Sequence, residues 1–179
     1  MEVFELRPAK LENELVELQP LQAADFDRLF EVAADPLIWE LHPAKDRYKR
    51  EVFQLYFDDA VASNTSFLVI DKASGELIGC TRLYAMNPDE SSVAIGYTFL
   101  ARKYWGGAYN RSMKSLLIEY VFKAVDNVLF HIATTNIRSQ KATEKIGASK
   151  VGEVNFDHYG TKLLHYEYRL TKAEYYKQA

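Results

Sequence analysis

The residues best suited to chemistry lie in Lys103-Tyr104-Trp105-Gly106-Gly107-Ala108-Tyr109-Asn110, where two consecutive glycines precede an amphipathic stretch. Glycines between a strand and a helix let several backbone N–H groups turn towards one point, and a helix starting near Tyr109 adds its positive dipole end there. Such a nest suits a phosphate or pyrophosphate, although the same glycines also make an ordinary turn. Charge favours the anion. Residues 101–150 hold nine Lys/Arg against three Asp/Glu, whereas the remaining 129 residues hold thirteen against twenty-two. One cationic segment therefore sits inside a chain of net charge −3, a balance that argues against a broad nucleic-acid surface. His42, His131, His158 and His165 fall in different elements without metal-ligand spacing, and Cys80 is the single cysteine. With no HExxH, CxxC, GxxxxGK[ST] or GxGxxG, neither a metal site nor a P-loop or dinucleotide fold is expected.

Elements must hold these residues in place. Residues 14–19 alternate as a strand, and Phe26, Leu29, Phe30 and Ala33 share one helical stripe, as do Phe53, Tyr56, Phe57 and Ala60. SFLVID, a KASG turn and ELIGCTRLYAM read as a hairpin, and SSVAIGYTFL as the next antiparallel strand. From residue 101 the pattern becomes loop, then a helix through Met113, Leu116, Leu117, Tyr120, Val121 and Ala124, then the strand NVLFHIATT. A strand-loop-helix-strand unit implies parallel pairing of residues 92–99 with 128–134. NIRSQKATEKIG reads as a helix with Ser139, Ala142, Thr143 and Ile146 on one side and Gly147 ending it. Strands at about 148–156 and 162–170 follow, and Thr171-Lys172-Ala173-Glu174 is a capping box. The expected fold is α/β: one domain over residues 1–179, core about 12–170, with a mostly antiparallel seven-stranded sheet, one splayed parallel pair and flanking helices.

Lys103 to Ala108 resembles the [QR]-x-x-G-x-[GA] pyrophosphate loop of the GNAT superfamily of N-acetyltransferases, with Lys103 replacing Gln or Arg. Asn136-Ile137-Arg138-Ser139, continuing through Glu144-Lys145-Ile146-Gly147-Ala148, resembles the N-x-x-S-x-x-x-x-E-K-x-G-[FA] signature of the branch that includes the ribosomal-protein N-terminal (alanine/serine) acetyltransferases. The resemblance covers about residues 12–170. It implies that acetyl-CoA lies as co-substrate where two parallel strands splay, with pantetheine against the backbone of Thr98, Phe99 and Leu100. It places pyrophosphate on the amides of Lys103, Gly106, Gly107, Ala108, Tyr109 and Asn110, within reach of Arg102 and Lys103. Asn136 matches a CoA-contacting Asn and equally suits a helix N-cap. Ser139 matches a position that touches CoA and protonates the departing thiolate, and it also suits a small core residue. A backbone N–H near Phe99 is expected to polarise the thioester carbonyl.

Two positions depart from the family. Where many relatives carry Glu in an E-I-G-Y strand motif, this chain reads Ala94-Ile95-Gly96-Tyr97, and where many outside this branch place a Tyr acid it has Thr143. Proton handling then falls to Ser139, a water, or a group such as Glu90, Tyr97, Tyr159 or His158. Trp39, Tyr84, Tyr97 and Tyr159 are candidates for an acceptor cleft.

At 179 residues, 48% of them hydrophobic, the chain is long enough to bury a core without staples. The lone cysteine and an acidic N-terminal stretch without a long apolar run lead us to expect no signal peptide, no membrane partner and a cytoplasmic location. The expected partner is a primary amine, a peptide N-terminus or a small molecule, with the protein a monomer or homodimer. Without the Glu at 94, amines of low pKa are favoured, since an α-amino group at ~7.8 deprotonates about 3.5 kcal/mol more easily than lysine at ~10.4. The alternative is a non-catalytic acyl-CoA sensor or interaction module.

Overall fold

The alternation at residues 14–19 forms a strand, but a two-residue partner precedes it: β1 (Leu11–Glu12) pairs antiparallel with β2 (Val16–Pro20). This short pairing makes the sheet eight-stranded rather than seven-stranded, and two residues are too few to leave a period in the sequence. The computed structural model describes residues 4–158 and 160–178, and of His158 the backbone alone. After β2 come α1 (Phe26–Ala33), α2 (Arg50–Ser63), β3 (Ser66–Asp71), β4 (Leu77–Asn87), β5 (Ser92–Leu100), α3 (Tyr109–Val121), β6 (Asn127–Ala133), α4 (Ile137–Lys145), β7 (Ser149–His158), β8 (Thr161–Thr171) and α5 (Lys172–Lys177). The strand order is β1-β2-β3-β4-β5-β6-β8-β7, antiparallel throughout except for the β5–β6 pair.

Helices cover both faces of the sheet. On one face Phe67, Val69, Leu83, Val93, Ile95, Phe130 and Ile132 pack with Met113, Leu117, Ile118 and Val121 of α3 and with Ile146 after α4. On the other, Leu68, Ile70, Cys80 and Phe99 pack with Leu29 and Ala33 of α1 and Phe53, Tyr56, Phe57 and Ala60 of α2. Every residue of β3 is consequently buried, which is why SFLVID reads as a continuous apolar run. All four residues expected on the α2 stripe are buried. On α3 the buried set is Met113, Lys114, Leu117, Ile118 and Val121; Leu116 and Tyr120 are only partly covered, and the helix stops before Ala124. Gly147, at φ 94, takes the left-handed conformation that ends α4 cheaply. Thr171 and Glu174 form the expected capping box. Cys80 is fully buried on the α2 face, where burial pushes its thiol up to about 11. No helix among the described residues is long and apolar enough to cross a membrane.

Candidate active site

β5 and β6 are paired only at Ser92, Val93 and Ala94, opposite Asn127, Val128 and Leu129. Past Ala94 each strand stays with its other neighbour, β5 with β4 and β6 with β8, so the sheet opens between them. A bulge drives the opening. Tyr97 and Thr98 together oppose Thr81 alone, and Tyr97 sits at φ 52, a conformation costly for a bulky residue. Tyr56 holds it by donating to the Tyr97 carbonyl at 2.6 Å, and the Thr81 and Thr98 hydroxyls bond at 2.9 Å. The guanidinium of Arg82 covers the Tyr97 ring at 3.9 Å and is anchored by Asp59 at 2.6 Å.

The opening is a cleft with two connected parts. One, of about 170 Å³, is lined by Thr98, Phe99, Leu100, Trp105, Gly106, Asn110, Lys114, Asn136, Arg138 and Ser139, among others. The other, of about 90 Å³, runs through the sheet from Lys114, Asn136, Ser139 and Thr143 to Gly96, Tyr97, His131, His42 and His165. Asn136 is the N-cap of α4, its side chain accepting from the Ser139 amide at 3.2 Å. That bond sets the first turn of α4 beside the cleft and leaves the half-buried Ser139 side chain on the cleft wall rather than in the core.

Lys114 is a site residue that the sequence reading passed over. It is 6% exposed, its Nζ lies 3.5 Å from the Thr143 hydroxyl and 5.2 Å from the Phe130 ring centre, and among the described residues it has no carboxylate partner. Burial lowers its pKa to about 8. The signal was available: Lys114 is four residues from Asn110 and three from Leu117, on the buried stripe of α3. Arg138, also missed, places its Cζ over the Trp105 ring, 3.8 Å from the centre, and donates to the Ile38 carbonyl at 3.3 Å.

At the loop, no side chain caps the first turn of α3, and Gly106 adopts φ 70 with open space where a Cβ would point. The backbone is thus available to an incoming anion. The remaining predicted residues divide. Arg102 and Lys103 are exposed and line an open groove next to the cleft; Arg102 is paired with Asp35, and Lys103 with Glu76 at 2.6 Å. Gly107 and Ala108 are exposed along the loop, and the Tyr109 hydroxyl turns away to Asp71 at 3.0 Å.

Strand pairing narrows the backbone N–H expected near Phe99 to one peptide. Its carbonyl lies against β4, so close that a Cβ on Gly79 would come within 2.0 Å of it, and the following Ala101 amide also donates to β4, at Ile78. Strand alternation turns the Leu100 peptide the other way, into the opening, where its carbonyl already accepts from Trp105 Nε1 at 2.9 Å. The Leu100 amide, not that of Phe99, faces the cleft.

On the α2 face a second polar group assembles. Tyr84 Oη lies 2.7 Å from His131 Nδ1, and His131 Nε2 lies 2.9 Å from the Glu167 carboxylate. Tyr84 reaches β6 because it crosses β5 at its smallest residues: it stands opposite Ala94, and a Cβ on Gly96 would meet its ring at 3.0 Å. Burial raises the Tyr84 pKa. Of the expected acceptor residues, Tyr84 and Tyr97 line a small cavity here, and Trp39, buried with its indole N–H on the Ala33 carbonyl, lines the cleft. Glu90 is exposed in the turn before β5, at the paired end of the strands and away from the opening, which removes it as a base. Tyr159 and the side chain of His158 lie outside the described residues. Among those described, no group of His, Cys, Asp and Glu could hold a metal ion.

Residues 16–149 match the family described as Acetyltransferase (GNAT) domain. No curated protein matches the chain at the sequence level. Among solved structures, a GCN5-related N-acetyltransferase from Brucella melitensis aligns over 93% of this chain and 80% of its own, with TM-score 0.77 and 23% identity. A GNAT-family acetyltransferase from Bacillus anthracis aligns over 92% and 99%, with TM-score 0.74 and 18% identity. Spermidine N-acetyltransferase from Vibrio cholerae, in complex with CoA and spermine, aligns over 92% and 99%, with TM-score 0.68 and 18% identity. A family match across three quarters of the chain, joined to a sheet that opens at the one parallel pair, makes this protein a member of the GNAT acetyltransferase family.

Proposed function

We propose that this protein transfers an acetyl group from acetyl-CoA to a primary amine, a peptide N-terminus or a small molecule such as a polyamine. The observation that carries this reading is the cleft between β5 and β6, which joins the Gly106 loop to Ser139 and then continues through the sheet to the α2 face. The residues fit CoA on three counts: an uncapped helix N-terminus, an open approach at Gly106, and a buried Lys114 ammonium without a carboxylate partner among the described residues. Acetyl-CoA supplies the activated acetyl thioester. Gly106, Asn110 and the loop amides would hold pyrophosphate, with Arg138 beside them and with Arg102 and Lys103 exchanging their carboxylates for phosphate. Thr98, Leu100 and Asn136 would hold the pantetheine arm.

From that placement the protein's own groups take defined roles. The Leu100 amide polarises the carbonyl that the amine attacks, and a fixed donor of this kind stabilises developing oxyanion charge. Ser139 and Lys114 border the place where a thiolate departs, and a lysine with a pKa of about 8 is matched to donate a proton to a thiol of about 8.5. The amine enters from the α2 face, past Trp39, Tyr84 and Tyr97. The likeness to spermidine N-acetyltransferase brings polyamines into the acceptor panel.

The test is mass spectrometry of products after incubation with acetyl-CoA and mixed peptides, polyamines and aminoglycosides, alongside thiol release. Acetylated product supports the enzyme, and tight CoA binding without turnover supports the sensor. Acetyl-CoA should raise the melting temperature well above the effect of NAD or ATP; equal shifts from all three would reduce the site to non-specific anion binding.

A further inference from the structure

We propose that Tyr84, backed by His131 and Glu167, takes the proton from the acceptor's ammonium group and so fills the role left open at Ala94. This assignment rests on the acetyl-transfer reading above and adds the base that it lacks. The neutral form of His131 that satisfies both of its hydrogen bonds carries its hydrogen on Nε2, because the Glu167 carboxylate can only accept. Nδ1 is then the acceptor, and the Tyr84 hydroxyl donates to it at 2.7 Å. The phenol oxygen keeps its lone pairs for a new proton.

The step balances without any further reagent. An N–H bond of the ammonium breaks and its proton moves to Tyr84 Oη as the phenol's own hydrogen moves to His131 Nδ1. The products are a neutral amine and an imidazolium whose charge Glu167 compensates. The proton afterwards returns to solvent by the same route. Tyr84 is the catalytic residue, and His131 and Glu167 act through it as positioning residues.

Placement favours this role over a purely structural one. The cavity of about 70 Å³ around Tyr84 shares His42, Tyr97, His131 and His165 as walls with the through-sheet cavity that ends at Ser139. The pair thus stands on the amine side of the opening. The titratable and charged groups around it are Tyr97 on β5, Arg82 on β4, His165 on β8, and His42 and Arg47 from the segment before α2. Arg82 has its own counter-ion in Asp59, and burial lowers the pKa of His165. Glu167 is the carboxylate bonded to the imidazole.

Two readouts test the proposal. In ¹⁵N NMR of the ligand-free protein, His131 should be the Nε2–H tautomer at neutral pH; a doubly protonated ring or an Nδ1–H tautomer would overturn the relay. In kinetics, with an alanine-initiated lysine-free peptide, spermidine and an N-acetyl-lysine amide as acceptors, Tyr84→Phe should lose about 100-fold in kcat with unchanged CoA affinity. Glu167→Gln should leave His131 a mixture of its two neutral tautomers in the same spectra and lower kcat with CoA affinity unchanged, because an amide can donate to or accept from Nε2 where the carboxylate only accepts. Wild-type turnover that Tyr84→Phe retains in full, or a single Nε2–H tautomer and full kcat that Glu167→Gln leaves in place, rejects the relay alone. No wild-type turnover with any acceptor, despite CoA binding, rejects the acetyl-transfer reading and this role with it.

Discussion

The two sides of the opening between β5 and β6 hold opposite kinds of polar group. On the α3 side, Lys114 is buried with a long hydrogen bond to Thr143 and, among the described residues, no carboxylate partner. On the α2 side, Tyr84, His131 and Glu167 satisfy one another at 2.7 and 2.9 Å. An unpaired buried charge costs free energy that an arriving ligand can recover, whereas a closed network is already organised and gains nothing from being filled. The difference teaches that the first side is left short of a partner a ligand could supply, whereas the second is organised before any ligand arrives.

The most direct way to break this contrast is Gly96→Ala, which touches the α2 side alone. The new Cβ would lie 3.0 Å from the Tyr84 ring and 3.2 Å from its Oη, tighter than ordinary contact, so the ring must shift by a few tenths of an ångström against His131. We expect turnover to fall about 100-fold, the loss of a general base, while CoA affinity measured by calorimetry stays unchanged. A matching loss of CoA affinity would mean that the two sides do not act separately.

Lys114→Met probes the other side. The lysine's pKa is about 8 in the folded protein against an ordinary 10.5, so its burial penalty applies in full below pH 8 and fades as pH rises to 10.5. The ligand-free variant should be more stable than wild type at pH 7 by about 3 kcal/mol, with the gap closing near pH 10.5. Denaturant melts at the two pH values measure this; a gap independent of pH would show that the ammonium is not destabilised by burial.

Gly106→Val should weaken CoA binding about tenfold, or 1.4 kcal/mol, by forcing a β-branched residue to positive φ and filling the backbone's approach to pyrophosphate. A folded variant with wild-type affinity would reduce the loop to a turn. The smallest effect is expected from Asn136→Ala, which removes the cap on Ser139 and should cost about 1 kcal/mol of stability, visible as a lower Tm. Asn136→Ser should restore most of it; if it does not, the side chain's contribution is not capping.

The sequence was most informative where pattern and chemistry are local. The α2 stripe, the capping box at Thr171 and the α4 cap at Asn136 each depend on residues within a few positions of one another, so periodicity and residue type suffice, and the parallel pair follows from the order strand, loop, helix, strand. The sheet's eighth strand is also local, yet too short to register. By contrast, Lys114 was hidden by reading a helical stripe as apolar, although its spacing from Asn110 and Leu117 placed it inside.

By itself, then, the sequence determined the fold class, the family, the glycine turn before α3 and the Asn136 cap on Ser139, because each is carried by local periodicity or short motifs. Only the tertiary structure decided that the Leu100 amide rather than that of Phe99 faces the opening, that Glu90 is at the wrong end of β5, and that Tyr84, His131 and Glu167 meet. Those three come from β4, β6 and β8, with 47 residues separating the first two and 36 the last. Their contact depends on strand order and on the small side chains at Ala94 and Gly96 letting one ring cross a neighbouring strand. Neither can be read from a segment in isolation, since register and strand order are set by long-range pairing.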